Sequence, residues 1–232
     1  MYLLAEPSRL FWLEGMKVSS ESSSSTVAKR LADHAPRTWQ RMLSGRRLNL
    51  LDPSPLDIEI EDIALGLARN TRWNGQTQGA HAWSVAQHSD FVVDIVRRLN
   101  PKAPADVLMA AKLHDASEYV THDLITPLKV VVGDVFAEVE ERLLQAIRLR
   151  FGLAASLSEN VQALIKSADK IAAATEAVQL AGFSEQEVRS VLGFREKPLH
   201  DFKLVPVPVA DAEKAFLEGF RQIEAAMILQ NR

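Results

Sequence analysis

Apolar residues recur at intervals of three and four along most of the chain after Pro36, which is the spacing of one buried face of an α-helix. Six stripes of this kind are present, and they begin at Ile60, Val85, Val107, Val135, Val161 and Phe216. Residues 204–209 (LVPVPV) alternate instead, but their two prolines limit them to an extended segment or a small edge ribbon. The pattern therefore predicts a single all-α domain over residues 36–232.

The first 35 residues have a different character. The run SSESSSS at 19–25 is of low complexity, so we expect residues 1–35 to form a flexible arm before the helical domain. Charged residues and a proline interrupt the apolar positions at the N-terminus, which is unlike a signal peptide. No apolar run approaches the roughly 18–20 residues that a membrane span requires. We therefore expect a cytoplasmic protein with no membrane partner.

Composition narrows the chemistry that the chain can perform. Hydrophobic residues make up 47% and charged residues 25%, with a net charge of −3. These values are typical of a soluble globular domain, and the lack of a basic excess argues against a nucleic acid polymer as partner. The chain has six histidines and no cysteine. A metal site must therefore use imidazole, carboxylate and water, and a thiol nucleophile is excluded.

Three helical stripes carry ionisable residues at positions that the periodicity predicts to be buried. His88 lies between Val85 and Val92. The pair His114-Asp115 and the single residue Asp169 occupy equivalent positions in two later stripes. A buried carboxylate without a partner is costly. Convergence of the two imidazoles and two carboxylates on one divalent cation would satisfy all four side chains.

Each of these residues also has an ordinary structural explanation. A histidine on an apolar face is often a hydrogen-bonded core residue, and an adjacent His-Asp pair is common by chance. Asp169 is close in sequence to Lys166 and Lys170, so an ion pair or a helix cap is an alternative for it. The other histidines have no comparable context, and we expect them outside a metal site; they are at positions 34, 81, 122 and 200.

The segment HDASEYVTHDLITPLK (114–129) extends the candidate site. Glu118 is four residues after His114, so a helix that continues to about Thr121 would place both on one face. A carboxylate one turn from a metal ligand can orient or deprotonate water, and the alternative is a solvated helix residue. The following residues are predicted to form a loop at the mouth of the site, and its polar members are Asp123, Thr126 and Lys129.

Upstream of the His88 helix, the turn-like segment RNTRWNGQT (69–77) contains Arg72 and Trp73. A guanidinium group holds phosphate in a bidentate manner, and an indole ring can border a base or a sugar. The alternative is a surface loop in which Trp73 is anchored in the core.

Taken together, the order His88, His114-Asp115, Asp169 resembles the H…HD…D pattern of the HD-domain metal-dependent phosphohydrolases. The Arg-Trp pair, the run 114–129 and Ala-Asp-Lys at 168–170 resemble in particular the small bacterial HD-domain 5′-deoxynucleotidases. This similarity covers roughly residues 56–180. Gln87 stands where that family has a glutamate, and the region after about Phe183 has no counterpart in the pattern.

The resemblance implies one HD-domain helical bundle, with the C-terminal helices packed on its core, that hydrolyses a phosphate monoester. The implied substrate is a small phosphorylated molecule, a (deoxy)nucleoside 5′-monophosphate, and a homodimer is possible. One divalent ion (Mn, Co, Fe, Ni, Zn or Mg) would be bound by His88, His114, Asp115 and Asp169. The catalytic residues implied are Glu118 and Asp123. The substrate contacts implied are Arg72, Trp73, Thr126 and Lys129.

Three alternatives to this function remain open at the level of sequence. In the first, the protein is an HD hydrolase of another nucleotide, such as a cyclic nucleotide, a triphosphate or (p)ppGpp. In the second, it is a non-catalytic helical protein that binds a metal or a nucleotide. In the third, the metal is structural and lies in a closed site.

Overall fold

The structure, a computed structural model, describes residues 37–230, and within that range the chain forms nine α-helices and two short strands. In chain order the helices are α1 (Ile60–Arg69), α2 (Val85–Leu99), α3 (Ala105–Lys112), α4 (Glu118–Thr121), α5 (Thr126–Val132), α6 (Asp134–Arg150), α7 (Glu159–Gln179), α8 (Glu185–Ser190) and α9 (Val209–Gln230). The predicted all-α fold class is confirmed. The predicted arm over residues 1–35 lies outside the described residues.

A small antiparallel hairpin, which the helical pattern did not predict, precedes α1. Its strands are β1 (Trp39–Arg41) and β2 (Arg47–Asn49), and strands of three residues are too short to show a readable alternation. Leu48 is fully buried in the core. In the turn, the backbone N–H of Ser44 donates to the Asp62 carboxylate of α1 at 3.0 Å. The Ser44 hydroxyl donates to the same carboxylate at 2.5 Å, so two hydrogen bonds fasten the hairpin to α1.

The predicted stripes supply the apolar core, which α1, α2, α3, α6, α7 and α9 share. Full burial of a large apolar side chain stabilises a fold by about 1.5–3 kcal/mol. Five such residues, one from each of five helices, are Leu67, Ile95, Met109, Ile147 and Phe216. Two stripe residues near helix ends, Leu99 and Val135, are exposed instead.

The helices that carry His88 and Asp169 pack directly against each other. In the middle of α7, residues 172–174 are all alanine, so no large side chain holds α2 away from it. His88 of α2 is fully buried and contacts both Asp169 and Glu176 of α7. None of the helices in the described range is both long and apolar enough to cross a membrane.

The expected continuous helix through His114 to about Thr121 is wrong. Helix α3 ends at Lys112, where the backbone leaves the helical region at Leu113 (φ −104°, ψ 11°). Residues 113–117 form turns, and α4 is a separate single turn. A regular helix directs neighbouring side chains about 100° apart. The interruption changes that spacing, and the ligand atoms of His114 and Asp115 reach the same point.

The expected loop at Thr126 and Lys129 is also wrong, because both residues lie in α5. Pro127 occupies the first turn of that helix, where the missing backbone N–H has no helical partner to lose. The proline therefore marks a helix start within the segment for which a loop was expected. Asp123 does lie on the connection before α5, as expected.

The segment before α9 is extended, as its prolines predicted, and Gln87 holds it in place. The Gln87 side-chain amide donates to the Val205 carbonyl at 2.9 Å and accepts from the Val207 N–H at 3.3 Å. A glutamate carboxylate has no N–H to donate to that carbonyl. Glutamine at position 87 therefore suits the extended segment that this chain packs against α2.

Gly66 generates a prediction, because α1 approaches α4 most closely there. A Cβ at Gly66 would lie 2.7 Å from Tyr119 Cβ and 2.8 Å from Tyr119 O. We expect Gly66→Ala to lower the free energy of unfolding by about 1–3 kcal/mol, even though alanine favours a helix. Urea denaturation measures this change. Arg69→Ala, at an exposed position of the same helix, is the control and should change the free energy of unfolding by less than about 0.5 kcal/mol. An equal loss in both variants would contradict the prediction.

Candidate active site

Four residues that are distant in sequence bring their ligand atoms together between α2, α7 and the turn after α3. They are His88, His114, Asp115 and Asp169, with one ligand atom from each lying within 4.8 Å of the others. His88 Nε2 is 3.2 Å from Asp169 Oδ1, and His114 Nε2 is 3.2 Å from Asp115 Oδ2. The structure therefore brings together all four residues that the sequence singled out as metal ligands.

Both imidazole rings are oriented with one nitrogen toward this cluster. His114 Nδ1 donates to the Ala111 carbonyl at 2.8 Å, and His88 Nδ1 donates to Glu176 Oε1 at 2.6 Å. Donation from Nδ1 leaves the Nε2 lone pair free for a metal. Nε2 of each histidine is buried and has no hydrogen-bond partner. Two such nitrogens beside two carboxylates fit a divalent cation with a preference for nitrogen and oxygen ligands.

The charges around the cluster set the protonation states of the residues that would bind a cation. Burial and Arg72 disfavour the charged form of His88, but the carboxylates of Glu176 and Asp169 outweigh them and raise its pKa to about 10. Burial opposes the charge of Asp115, yet His114, His88 and Arg72 hold its pKa well below the usual range. A metal ligand must be deprotonated, so metal binding has to release a proton from this cluster.

Glu176 is a site residue that the sequence reasoning missed. Its fully buried carboxylate accepts hydrogen bonds from His88 Nδ1, from Trp73 Nε1 at 3.1 Å and from Arg72 Nε at 3.4 Å. Burial opposes this charge, but His88 and Arg72 lower the pKa of Glu176 to about 2. A signal was present, because Glu176 lies seven residues after Asp169 and therefore on the same face of α7.

Arg72 and Trp73 begin a single-turn 3-10 helix between α1 and α2. Trp73 has a φ of 57°, which is unusual for a bulky residue, and its ring packs against Phe183 with centroids 5.9 Å apart. Arg72 Nη1 lies 3.6 Å from Asp123 Oδ2 and 3.8 Å from Asp115 Oδ2. Trp73 is thus anchored in an apolar cluster, as the alternative held, and the Arg-Trp pair still faces the candidate site.

A cleft of about 900 Å³ opens beside the cluster, a size that suits a small-molecule ligand. Its polar lining includes every catalytic and polar substrate-binding residue implied by the resemblance: Arg72, Glu118, Asp123, Thr126 and Lys129. Its apolar lining is Trp73, Leu124, Ile125, Pro127, Ala173, Leu192 and Phe194. The cleft therefore offers both charged and apolar surface to the same ligand.

Glu118 is buried, so the alternative of a solvated helix residue is wrong. Lys129 Nζ lies 3.6 Å from its Oε1, while its Oε2 has no hydrogen-bond partner. Burial, together with the charges of Asp115 and Asp123, raises the pKa of Glu118 to about 9. A cation bound at the adjoining His-Asp group would favour the carboxylate form and lower this pKa, as removal of a proton from water requires.

The remaining candidates behave as ordinary residues. His81, His122 and His200 lie outside the metal-ligand group, as expected, and His34 is outside the described residues. Lys170 Nζ lies 3.6 Å from Glu196 Oε1, whereas Asp169 contacts His88. Asp169 therefore pairs with His88 of the cluster, and the neighbouring Lys170 pairs with Glu196 instead.

Comparison with known proteins agrees with this geometry. Residues 65–220 match the family described as 5′-deoxynucleotidase YfbR-like. The chain belongs to this family. An uncharacterised protein of Rhodobacter capsulatus is 54% identical over 157 residues, which cover 68% of this chain and 80% of the relative. The uncharacterised protein YfdR of Escherichia coli is 32% identical over 168 residues, which cover 72% of this chain and 85% of that protein.

The family match confirms the resemblance drawn from the motifs, and it extends further than we expected. It includes the metal-ligand group, and it continues beyond Phe183 through most of α9. The C-terminal region of this YfbR-like protein is therefore part of the family domain. In the structure, Phe216, Phe220 and Ile223 of α9 are buried in the same core as α1 and α2.

Metal binding by this YfbR-like protein can be tested without an activity assay. We expect Mn or Co to raise the thermal midpoint of metal-free protein, because a ligand that binds the folded state stabilises it. Asp169→Asn should weaken metal binding by at least about tenfold, because it removes one anionic ligand. Differential scanning calorimetry at several metal concentrations gives both values. Asp52→Asn, at an exposed position, is the control and should bind like wild type.

Glu176 gives a second prediction. Glu176→Gln keeps the size of the side chain but removes the charge that balances Arg72 and orients His88. We expect metal affinity to fall by roughly 10–100-fold. The free energy of unfolding should fall by about 3–5 kcal/mol, because a buried cation loses its partner.

Metal titration calorimetry and urea denaturation measure these two effects. Glu159→Gln, at the exposed start of the same helix, should change neither. Wild-type metal affinity in Glu176→Gln would show that the glutamate does not orient the ligand.

Proposed function

We propose that this YfbR-like protein is a metal-dependent phosphohydrolase that acts on a phosphate monoester. The observation that carries the proposal is the shared cleft: the His-Asp group adjoins a buried arginine and a buried, protonatable glutamate. The family name points to a nucleoside 5′-monophosphate, and to the deoxy form in particular, as the substrate.

In this proposal, His88, His114, Asp115 and Asp169 hold the divalent ion. When bound, the ion supplies Lewis-acid activation of water and offsets the charge of the phosphoryl group. Asp115 and Asp169 line the cleft, and the Nδ1 atoms of both histidines are engaged by protein acceptors on the other side of the rings. That leaves the cleft side for water and for a phosphate oxygen, as an open catalytic site requires and a closed structural site does not.

Arg72 is the residue proposed to bind the phosphate. Its Nε is held by Glu176, so the guanidinium has a fixed orientation when substrate arrives. Burial disfavours its charge, but Glu176, Asp123 and Asp115 raise its pKa further above the usual range, and it stays a cation. A phosphate dianion that enters the cleft adds negative charge beside this preorganised cation.

Glu118 is proposed to take the proton from the attacking water, and Asp123 to assist at the leaving group. Lys129 lies beside the Glu118 carboxylate and stabilises its deprotonated form. Asp123 contacts Arg72 Nη1, which places its carboxylate next to the proposed phosphate position. Thr126 lines the same wall of the cleft and contributes a hydroxyl group to substrate binding.

The proposal is tested with a panel of phosphorylated compounds and with Mn, Co and Mg in turn. The panel contains deoxy- and ribonucleoside 5′-monophosphates, 3′-monophosphates, cyclic nucleotides and triphosphates, and released phosphate is measured. We expect turnover of 5′-monophosphates, with the deoxy forms preferred. Glu118→Gln should lower kcat by about 100-fold or more, because it removes a general base.

Glu138→Gln, at an exposed position of α6, is the matched control and should retain wild-type kcat. Turnover of cyclic nucleotides or triphosphates alone would favour the other HD hydrolases. If metal-loaded protein released no phosphate from any monophosphate, the proposed function would be wrong.

A further inference from the structure

The apolar part of the cleft wall is built separately from the main core. Leu192 and Phe194 line the cleft together with Trp73. All three belong to a second apolar cluster formed around α8 and the C-terminal half of α7, whose fully packed members are Ala174, Ala177 and Val188. Leu192 and Phe194 are only partly buried in that cluster, so each leaves apolar surface toward the cleft.

The backbone fixes the direction of these two side chains. Helix α8 begins with a capping box, in which the Ser184 hydroxyl and the Glu187 side chain each bond to the other residue's backbone N–H. It ends at Ser190, and three residues later Gly193, with a φ of +72°, allows the Phe194 N–H to reach back to the Val188 carbonyl at 3.2 Å. A short helix closed at both ends presents Leu192 and Phe194 on a defined turn.

This turn is also tied to the helix that carries the metal ligand. Lys170, the residue after Asp169, contacts Glu196 with Nζ and Oε1 3.6 Å apart. The Leu199 N–H donates to the Thr175 hydroxyl of α7 at 2.9 Å. Both contacts follow Phe194 closely in the chain and tie this segment to α7, the helix that also carries Asp169.

We propose that Leu192 and Phe194 form the wall against which the nucleobase of the substrate packs. This inference rests on the proposed function and names the part of the chain that binds the organic half of the substrate. Neither side chain carries a polar group, and the one polar atom of Trp73 is engaged by Glu176. Such a wall binds a flat ring by stacking and by burial of apolar surface.

The test combines truncation of the wall with truncation of the substrate. Phe194→Ala and wild type are compared on a deoxynucleoside 5′-monophosphate and on deoxyribose 5-phosphate, which has no base. We expect KM for the nucleotide to rise about tenfold in Phe194→Ala, the scale of one lost base–aromatic contact, with kcat little changed. KM for deoxyribose 5-phosphate should stay at the wild-type value, because that compound does not reach the wall.

Two further variants keep the result interpretable. Phe194→Leu preserves apolar packing in the cluster, so it should fold normally and show a smaller rise in KM for the nucleotide alone. Val191→Ala, at an exposed position of the same segment, should leave both KM values unchanged. If Phe194→Ala unfolds, the leucine variant carries the comparison.

Three outcomes overturn the inference. An equal rise in KM for both substrates assigns Phe194 a purely structural role, and an unchanged KM for the nucleotide removes it from the binding site. Lack of turnover of every monophosphate by wild type contradicts the proposed function itself, and this inference with it. Wild-type turnover with no selective effect of Phe194→Ala contradicts the wall alone.

Discussion

The site depends on one buried carboxylate. Glu176 has no exposed surface, and its two oxygens accept hydrogen bonds from His88, Arg72 and Trp73. A buried charge is tolerated only when it is paired and hydrogen-bonded. The three donors meet this condition for Glu176, and Glu176 supplies a hydrogen-bond acceptor to each of them. Glu176 therefore holds three groups of the site at once. They are the His88 ring that faces the metal-ligand group, the Arg72 cation proposed to bind phosphate, and the Trp73 indole that borders the cleft.

Helix α7 connects this anchor to the rest of the molecule. Asp169 and Glu176 lie two turns apart on the face toward α2, and the alanines between them allow His88 to reach both. Further along α7, Gln179 donates to the Leu199 and Phe202 carbonyls. One helix thus carries Asp169 and Glu176 on one face and holds the C-terminal segment through Gln179 on another.

Two polar side chains join elements that are far apart in the sequence. Lys112, at the end of α3, is fully buried, pairs with Asp90 and lies 3.9 Å from the centroid of the Phe216 ring. The Gln87 side-chain amide similarly forms hydrogen bonds with the backbone of an extended segment more than 100 residues away. The partners of both residues are distant in the chain: those of Lys112 lie in α2 and α9, and those of Gln87 lie in the segment before α9.

The sequence alone determined the helical class and predicted the four residues that the structure brings together as a group able to hold a metal, because both leave local marks: apolar spacings of three and four, and ionisable residues on buried stripes. It misplaced the helix through His114 and the loop at Thr126, since a helix end depends on what the backbone packs against. It missed Glu176, although the spacing of seven residues from Asp169 placed both on one face of α7, and it missed the proposed wall at Leu192 and Phe194. Their roles come from contacts across long separations in the chain, and a local pattern carries no record of which distant residue a side chain will meet.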